Sequence, residues 1–182
     1  MVNKLGIIDY IELKRVEYVL TNFKYRMMDI NFMFNESSIF SIDYLEKIHI
    51  YLFQDIYDEE FCKIKDNISV ETLAYIQNTL YKIKEDVMNL DIVSLSNDIY
   101  TLWEYQMFVD GNTRTIRAFL KIVCLCFDIK IKHNFDEAIY EDYFIGRLID
   151  EIVLEQNLEK KKLVEVDKWK KYLNMIFVVE KL

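Results

Sequence analysis

The chain has no proline and only three glycines, Gly6, Gly111 and Gly146, in 182 residues. The turns of sandwiches, barrels and multi-hairpin folds draw on those two residue types, so their scarcity excludes an all-β fold. Cysteine is equally sparse: Cys62, Cys124 and Cys126 are an odd number, and none stands in a two-residue-spaced pair or near a histidine cluster. Cys124 and Cys126 diverge by about 200° on a helix and cannot converge on one metal. Neither a disulfide framework nor a zinc site follows, and the thiols read as buried and free in a reducing compartment. Basic residues are outnumbered 31 to 23, a formal net charge of −8, which repels a phosphate backbone and argues against a nucleic-acid partner. No window approaches the roughly 18 apolar residues of a membrane span, and the first residues lack the apolar stretch of a signal peptide. The chain reads as cytoplasmic when made, without a membrane partner.

What is present is apolar material at helical spacing. Apolar residues make up 52% of the chain, enough for one domain to bury a core unaided. From Ile7 to about Ile30, the residues Ile8, Ile11, Val16, Val19, Leu20 and Phe23 recur at steps near three and four and define one helical face. Ser41 is placed to cap a second helix through Leu45, Ile48, Leu52, Phe53 and Ile56. Asp58 to Asp66 has room for a few extended residues, and Asn67 or Ser69 then opens a helix to about Asp86 carrying Leu73, Ile76, Leu80 and Ile83. A fourth helix spans about Ile92 to Tyr105. The stretch Thr115 to Phe127 is apolar on nearly all sides, which predicts a central buried helix. Two more follow, about Phe135 to Leu154 and Leu158 to Val178. Without repeat or linker, residues 1–182 read as one all-α domain.

The turn chemistry is concentrated in Gln106-Met-Phe-Val-Asp-Gly-Asn-Thr-Arg-Thr-Ile-Arg117. Gly111 permits a positive φ, and the amides after it open a helix whose first N–H groups lack internal partners, which is a seat for an anion. Arg114 and Arg117, two of five arginines, stand in the first turns, where cations worsen the helix dipole unless an anion is present. Asp110 beside a phosphate suits Mg²⁺, which takes one or two carboxylates plus phosphate oxygens. Asn112 is placed to cap the helix or to donate to the anion. The same residues also read as an ordinary Asp-Gly turn with an Asn112 cap and solvated arginines.

The segment resembles the signature of the Fic (Fido) family, H-x-F-x-[DE]-G-N-[GT]-R-x-x-R, matched here by Phe108, Asp110, Gly111, Asn112, Thr113, Arg114 and Arg117. Asn3-Lys-Leu-Gly-Ile7 with its acidic helix resembles the family's start, and Tyr44 to Tyr57 its lead-in helix. The resemblance implies a helical bundle around a central buried helix, holding ATP or ADP with Mg²⁺, and transfer of AMP to a hydroxyl of a protein target. It further implies Mg²⁺ on Asp110 and phosphates on Gly111, Asn112, Thr113, Arg114 and Arg117, with Phe108 as a structural anchor.

Three departures qualify that reading. The family's histidine, the general base, falls on Gln106, whose amide has no useful basicity. Losing a general base costs about 10²–10⁴ in rate, so activity is expected to be lost or much reduced, the alternative being a slow nucleotidyltransferase on an unknown protein target. His49 and His133 read as structural. Glu59-Glu-Phe61 replaces the family's Trp-Ala-Gly, leaving its β-hairpin flap shortened or absent and docking of a target by strand addition in doubt. The family's self-inhibitory pattern, [ST]-x-x-x-E-[GN], has no match; Glu36 stands in the wrong context. At the C-terminus, Lys160 to Lys162, Lys168, Lys170 and Lys171 alternate with Glu159, Glu165 and Asp167 around Trp169, Leu173 and Ile176. That pattern predicts a solvated helix over 158–182 packed on the core. A protein target or regulatory partner is implied without an identity, and self-association stays open.

Overall fold

The structure is a computed structural model that describes residues 3–31, 39–127, 129 and 166–174. The helix expected over Phe135 to Leu154 lies outside the described residues, as do Glu36, His133 and most of 158–182.

The described elements are α1 (Tyr10–Asn31), α2 (Ile42–Phe53), α3 (Glu59–Cys62), α4 (Val70–Met88), α5 (Ile92–Glu104) and α6 (Asn112–Cys126). Among the described residues there is no strand. Local chemistry sets most starts. The Ser41 hydroxyl accepts from the Tyr44 amide to cap α2, the Ser69 hydroxyl accepts from Thr72 to cap α4, and the Asp91 carboxylate accepts from Val93 and Ser94 to cap α5.

Helix α6 is the central element, with every residue from Thr115 to Cys124 buried, and it packs against α1, α2 and α5. Its burial follows from Ile116, Ala118, Phe119, Leu120, Ile122 and Val123, which surround the axis rather than one stripe of it. Helices α4 and α5, joined by three residues, lie along one another. Residues 166–174 are helical and bury Trp169, Tyr172 and Leu173 in the same core.

Helix α1 corrects the sequence-based face. Ile8 is 99% exposed, and Ile11, Val19 and Phe23 are also exposed; the buried row is Leu13, Glu17, Thr21, Tyr25 and Met28. The row joins apolar Leu13, Tyr25 and Met28 to Glu17, which lies beneath α6 as a counter-charge to Arg114. The stretch after Tyr57 holds a one-turn helix, α3, with extended residues on either side of it at Asp58 and Lys63. Beyond it the chain is pinned at two points. The Ile64 amide donates to Glu46 Oε1 at 3.0 Å, and the Lys65 amide donates to the Met107 carbonyl at 3.0 Å. Where the resemblance would place a flap, the backbone is attached to the start of the signature loop.

Candidate functional site

The loop between α5 and α6 is held by side chains of its own sequence. The chain turns at Gln106, whose φ of 43° is left-handed without being glycine. The Gln106 amide group donates to the Trp103 carbonyl at 2.8 Å, and its Oε1 accepts from Asn112 Nδ2 at 3.1 Å. Asn112 Nδ2 also donates to the Phe108 carbonyl at 2.9 Å, while its Oδ1 accepts from the Phe108 amide at 2.9 Å. Both polar atoms of the Asn112 side chain are therefore committed to the loop, and Gly111, with no side chain, stands at the N-cap of α6. The indole N–H of Trp103 donates to Thr113 Oγ1 at 3.0 Å. Gln106 and Asn112 together brace the turn.

Gly111 is required there twice over. Its φ is +76°, and a Cβ would lie 2.3 Å from Cζ of the buried Phe53. Because no side chain caps α6, the amides of its first turn keep the donor capacity and positive dipole end that suit an anion.

Phe108 is buried and stacks on His49, ring centroids 3.9 Å apart and planes within 3°. His49 Nδ1 lies 2.8 Å from Thr115 Oγ1. The Thr115 hydroxyl donates its proton to the Gly111 carbonyl at 3.1 Å, so the imidazole is the donor through Nδ1. Burial, reinforced by the charge of Arg114, pushes this histidine down to about 3. It is a neutral structural ring that props the loop through Phe108 and Thr115 and does not stand in for the base missing at 106.

The charged residues form a network that spans the chain. Glu17, 1% exposed, accepts from the Arg114 guanidinium and from the Tyr57 hydroxyl, and from Lys14 Nζ at 3.0 and 3.2 Å. Arg114 also lies over the Phe53 ring at 4.7 Å and donates to Thr21 Oγ1 at 3.4 Å. Lys14 Nζ reaches Asp110 Oδ2 at 2.6 Å, while Asp110 Oδ1 accepts from the Gly111 amide at 2.6 Å. Burial alone would raise the Asp110 carboxyl; the hydrogen bond and charge of Lys14 outweigh it and hold the group below the usual carboxylate range. For Lys14, burial lowers the ammonium, and Asp110 and Glu17 overcome it to leave a net rise. Two carboxylates and two cations give a neutral cluster.

Of the residues that the sequence assigns to phosphate, Gly111 and Arg114 meet at the junction of α1 and α6, beside Asp110, the residue assigned to Mg²⁺. Arg117 lies apart, buried, with its guanidinium carbon 4.7 Å from the centre of the Tyr172 ring, in the core rather than beside Arg114's partners. Sequence reasoning missed Lys14, Glu17 and Tyr57. The available signal is the row Leu13, Glu17, Thr21 and Tyr25 at steps of four, in which one carboxylate shares a helix face with Leu13 and Tyr25. As for a divalent ion, one oxygen of Asp110 holds an amide proton and the other an ammonium, so a metal at this carboxylate has to displace Lys14. The donor set does not accept Mg²⁺ as it stands.

Comparison with known proteins points the same way as the fold and the loop. The family model described as the Fic/DOC family matches residues 39–124, which bears out the resemblance read from the signature and the lead-in helix. Among solved structures, the chain is similar to the BepC protein, a VirB-translocated effector of Bartonella tribocorum, in its crystal structure with bound AMPPNP. The TM-score is 0.52 at 15% identity, covering 92% of this chain and 90% of that one. The likeness extends the shared helical fold beyond the matched segment. No curated protein matches the chain. No helix among the described residues is long and apolar enough to cross a membrane.

Proposed function

We propose that this chain is a nucleotide-binding Fic protein whose AMP-transfer activity is lost or much reduced, and which acts by association with a protein partner. The observation that carries the reading is the engagement of Gln106 at both ends, its amide group on Trp103 and its oxygen on Asn112. A side chain so held, and without basicity, cannot take a proton from an incoming hydroxyl; the loss is worth roughly 3–5 kcal/mol of barrier. The bond from Lys65 to Met107 supports the same reading, because it uses backbone that strand addition of a target needs. Nucleotide binding is supported by the uncapped amides of α6 after Gly111, and the AMPPNP bound in BepC makes an adenosine triphosphate the first ligand to try. Such a ligand competes with Glu17 for Arg114.

The second reading, a slow nucleotidyltransferase, draws on the intact run Asp110 to Arg114. One experiment separates the two. The unaltered chain and Gln106→His are incubated with α-phosphate-labelled ATP and Mg²⁺, alone and with lysate, and ATP binding is followed by calorimetry. Binding without label for the unaltered chain, and label for Gln106→His, is the expected result. Label on the unaltered chain establishes the slow enzyme instead, and the absence of ATP heat refutes both readings.

A further inference from the structure

The geometry points to Lys14 as a tethered cation that holds the place of a divalent ion on Asp110, so that the loop takes a polyphosphate without a metal. The inference rests on the nucleotide-binding reading above and adds to it the source of charge neutralisation. Lys14 belongs to α1, 96 residues from Asp110, yet its Nζ stands 2.6 Å from Oδ2. It is fixed from behind by both oxygens of Glu17, at 3.0 and 3.2 Å, and Glu17 is itself buried and secured by Tyr57 and Arg114. Its three ammonium protons thus have three carboxylate oxygens within reach, and only 27% of the side chain is exposed. The Tyr10 ring lies 5.7 Å from Nζ on the same helix. This is a positioned charge rather than a solvated side chain.

The charge count follows. Asp110 and Glu17 supply two negative charges, Lys14 and Arg114 two positive ones, and the cluster is balanced before any ligand arrives. A divalent ion on Asp110 has to break a short charge-assisted bond and then lies beside the displaced ammonium, which Glu17 retains nearby. A bare polyphosphate leaves that bond in place and competes only with Glu17 for Arg114. It approaches the α6 amides with an ammonium already neutralising the one acidic side chain of the loop, so the repulsion that Asp110 would exert on a phosphate is removed.

The test is calorimetric titration of the full chain with ATP, once in excess EDTA and once in excess Mg²⁺, for the unaltered protein, Lys14→Gln and Lys14→Arg. Expected for the unaltered protein are affinities in the two media within about threefold of each other. Lys14→Gln should lose about tenfold or more in EDTA and recover it in Mg²⁺, because Asp110 is then free for the metal, while Lys14→Arg keeps most of the metal-independent binding. Dependence of the unaltered protein on Mg²⁺, or equal binding by Lys14→Gln in EDTA, overturns the role of Lys14 and leaves nucleotide binding standing. No heat for any chain in either medium overturns both. Thermal melts of the three proteins verify that each is folded.

Discussion

Replacing Gly111 by alanine tests the loop at its tightest point. The residue sits at φ +76°, and an added Cβ meets Cζ and Cε2 of Phe53 at 2.3 and 2.6 Å. The backbone share of the cost, an L-residue in the left-handed region, is about 1–2 kcal/mol. The steric share is that of overpacking, about 1–3 kcal/mol, since Phe53 is fully buried against His49, Tyr57 and Phe61 and has nowhere to swing. Together they give about 2–5 kcal/mol, a large part of the 5–15 typical of a whole protein. Equilibrium urea unfolding reads this as a lower midpoint at unchanged m-value. A double-mutant cycle apportions the two shares: Phe53→Leu should recover part of the loss in the Gly111→Ala background, though it destabilises the unaltered protein on its own. A loss below about 1 kcal/mol, or no coupling between the two positions, would refute the claim that Gly111 is dictated by Phe53. ATP affinity should fall with the same substitution, because Arg114 rests on that ring.

Three further outcomes are expected. Glu17→Ala strands Lys14 and Arg114 beside each other and should cost about 2–4 kcal/mol, less than a fully buried pair because both cations are partly exposed, with Glu17→Gln losing less; urea unfolding measures both. Gln106→Leu removes the bonds to Trp103 and Asn112 and should cost about 1–2 kcal/mol, with the Asn112 side-chain amide resonances shifting in NMR spectra. Asp86 is pushed up from 3.8 to about 6, by burial first and by Asp98 next. The folded state then binds its proton more tightly than the unfolded one, so the associated penalty is absent below about pH 4, grows between 3.8 and 6, and is constant above. With partial exposure discounted, Asp86→Asn should stabilise by about 1 kcal/mol at pH 7.5 and by nothing at pH 4, read from melts at the two values.

Much of this molecule was legible beforehand for reasons that are local. Caps at Ser41 and Ser69 depend on the next three residues, and the all-round apolarity of Thr115 to Cys124 announces a central helix without knowledge of its neighbours. The glycine of the loop was legible for its positive φ, though not for the Phe53 ring beneath it. What could not be read were pairings between distant segments. The apolar stripe of Ile8, Ile11, Val19 and Phe23 promised a buried face by its period alone, yet Glu17 on the other side faces α6 because Arg114 is there to meet it. Asn112 reads from the sequence as a helix cap or an anion donor, and the turn at Gln106, left-handed without being glycine, is what brings its partners Gln106 and Phe108 back to it.

The bond from Lys14 to Asp110 and the pair of Glu17 with Arg114 close loops of 96 and 97 residues. Neither can form until the first helix has returned to the sixth, a step whose entropic cost grows with the logarithm of the intervening length. The anion seat is therefore a late product of folding: a nascent chain ending before the loop has Lys14 and Glu17 without Asp110 and Arg114, and an N-terminal truncation that removes α1 has Asp110 and Arg114 without them. A ligand that binds here binds only the completed topology, so its affinity adds directly to the stability of the whole domain and its occupancy reports how much of the population has brought α1 to α6.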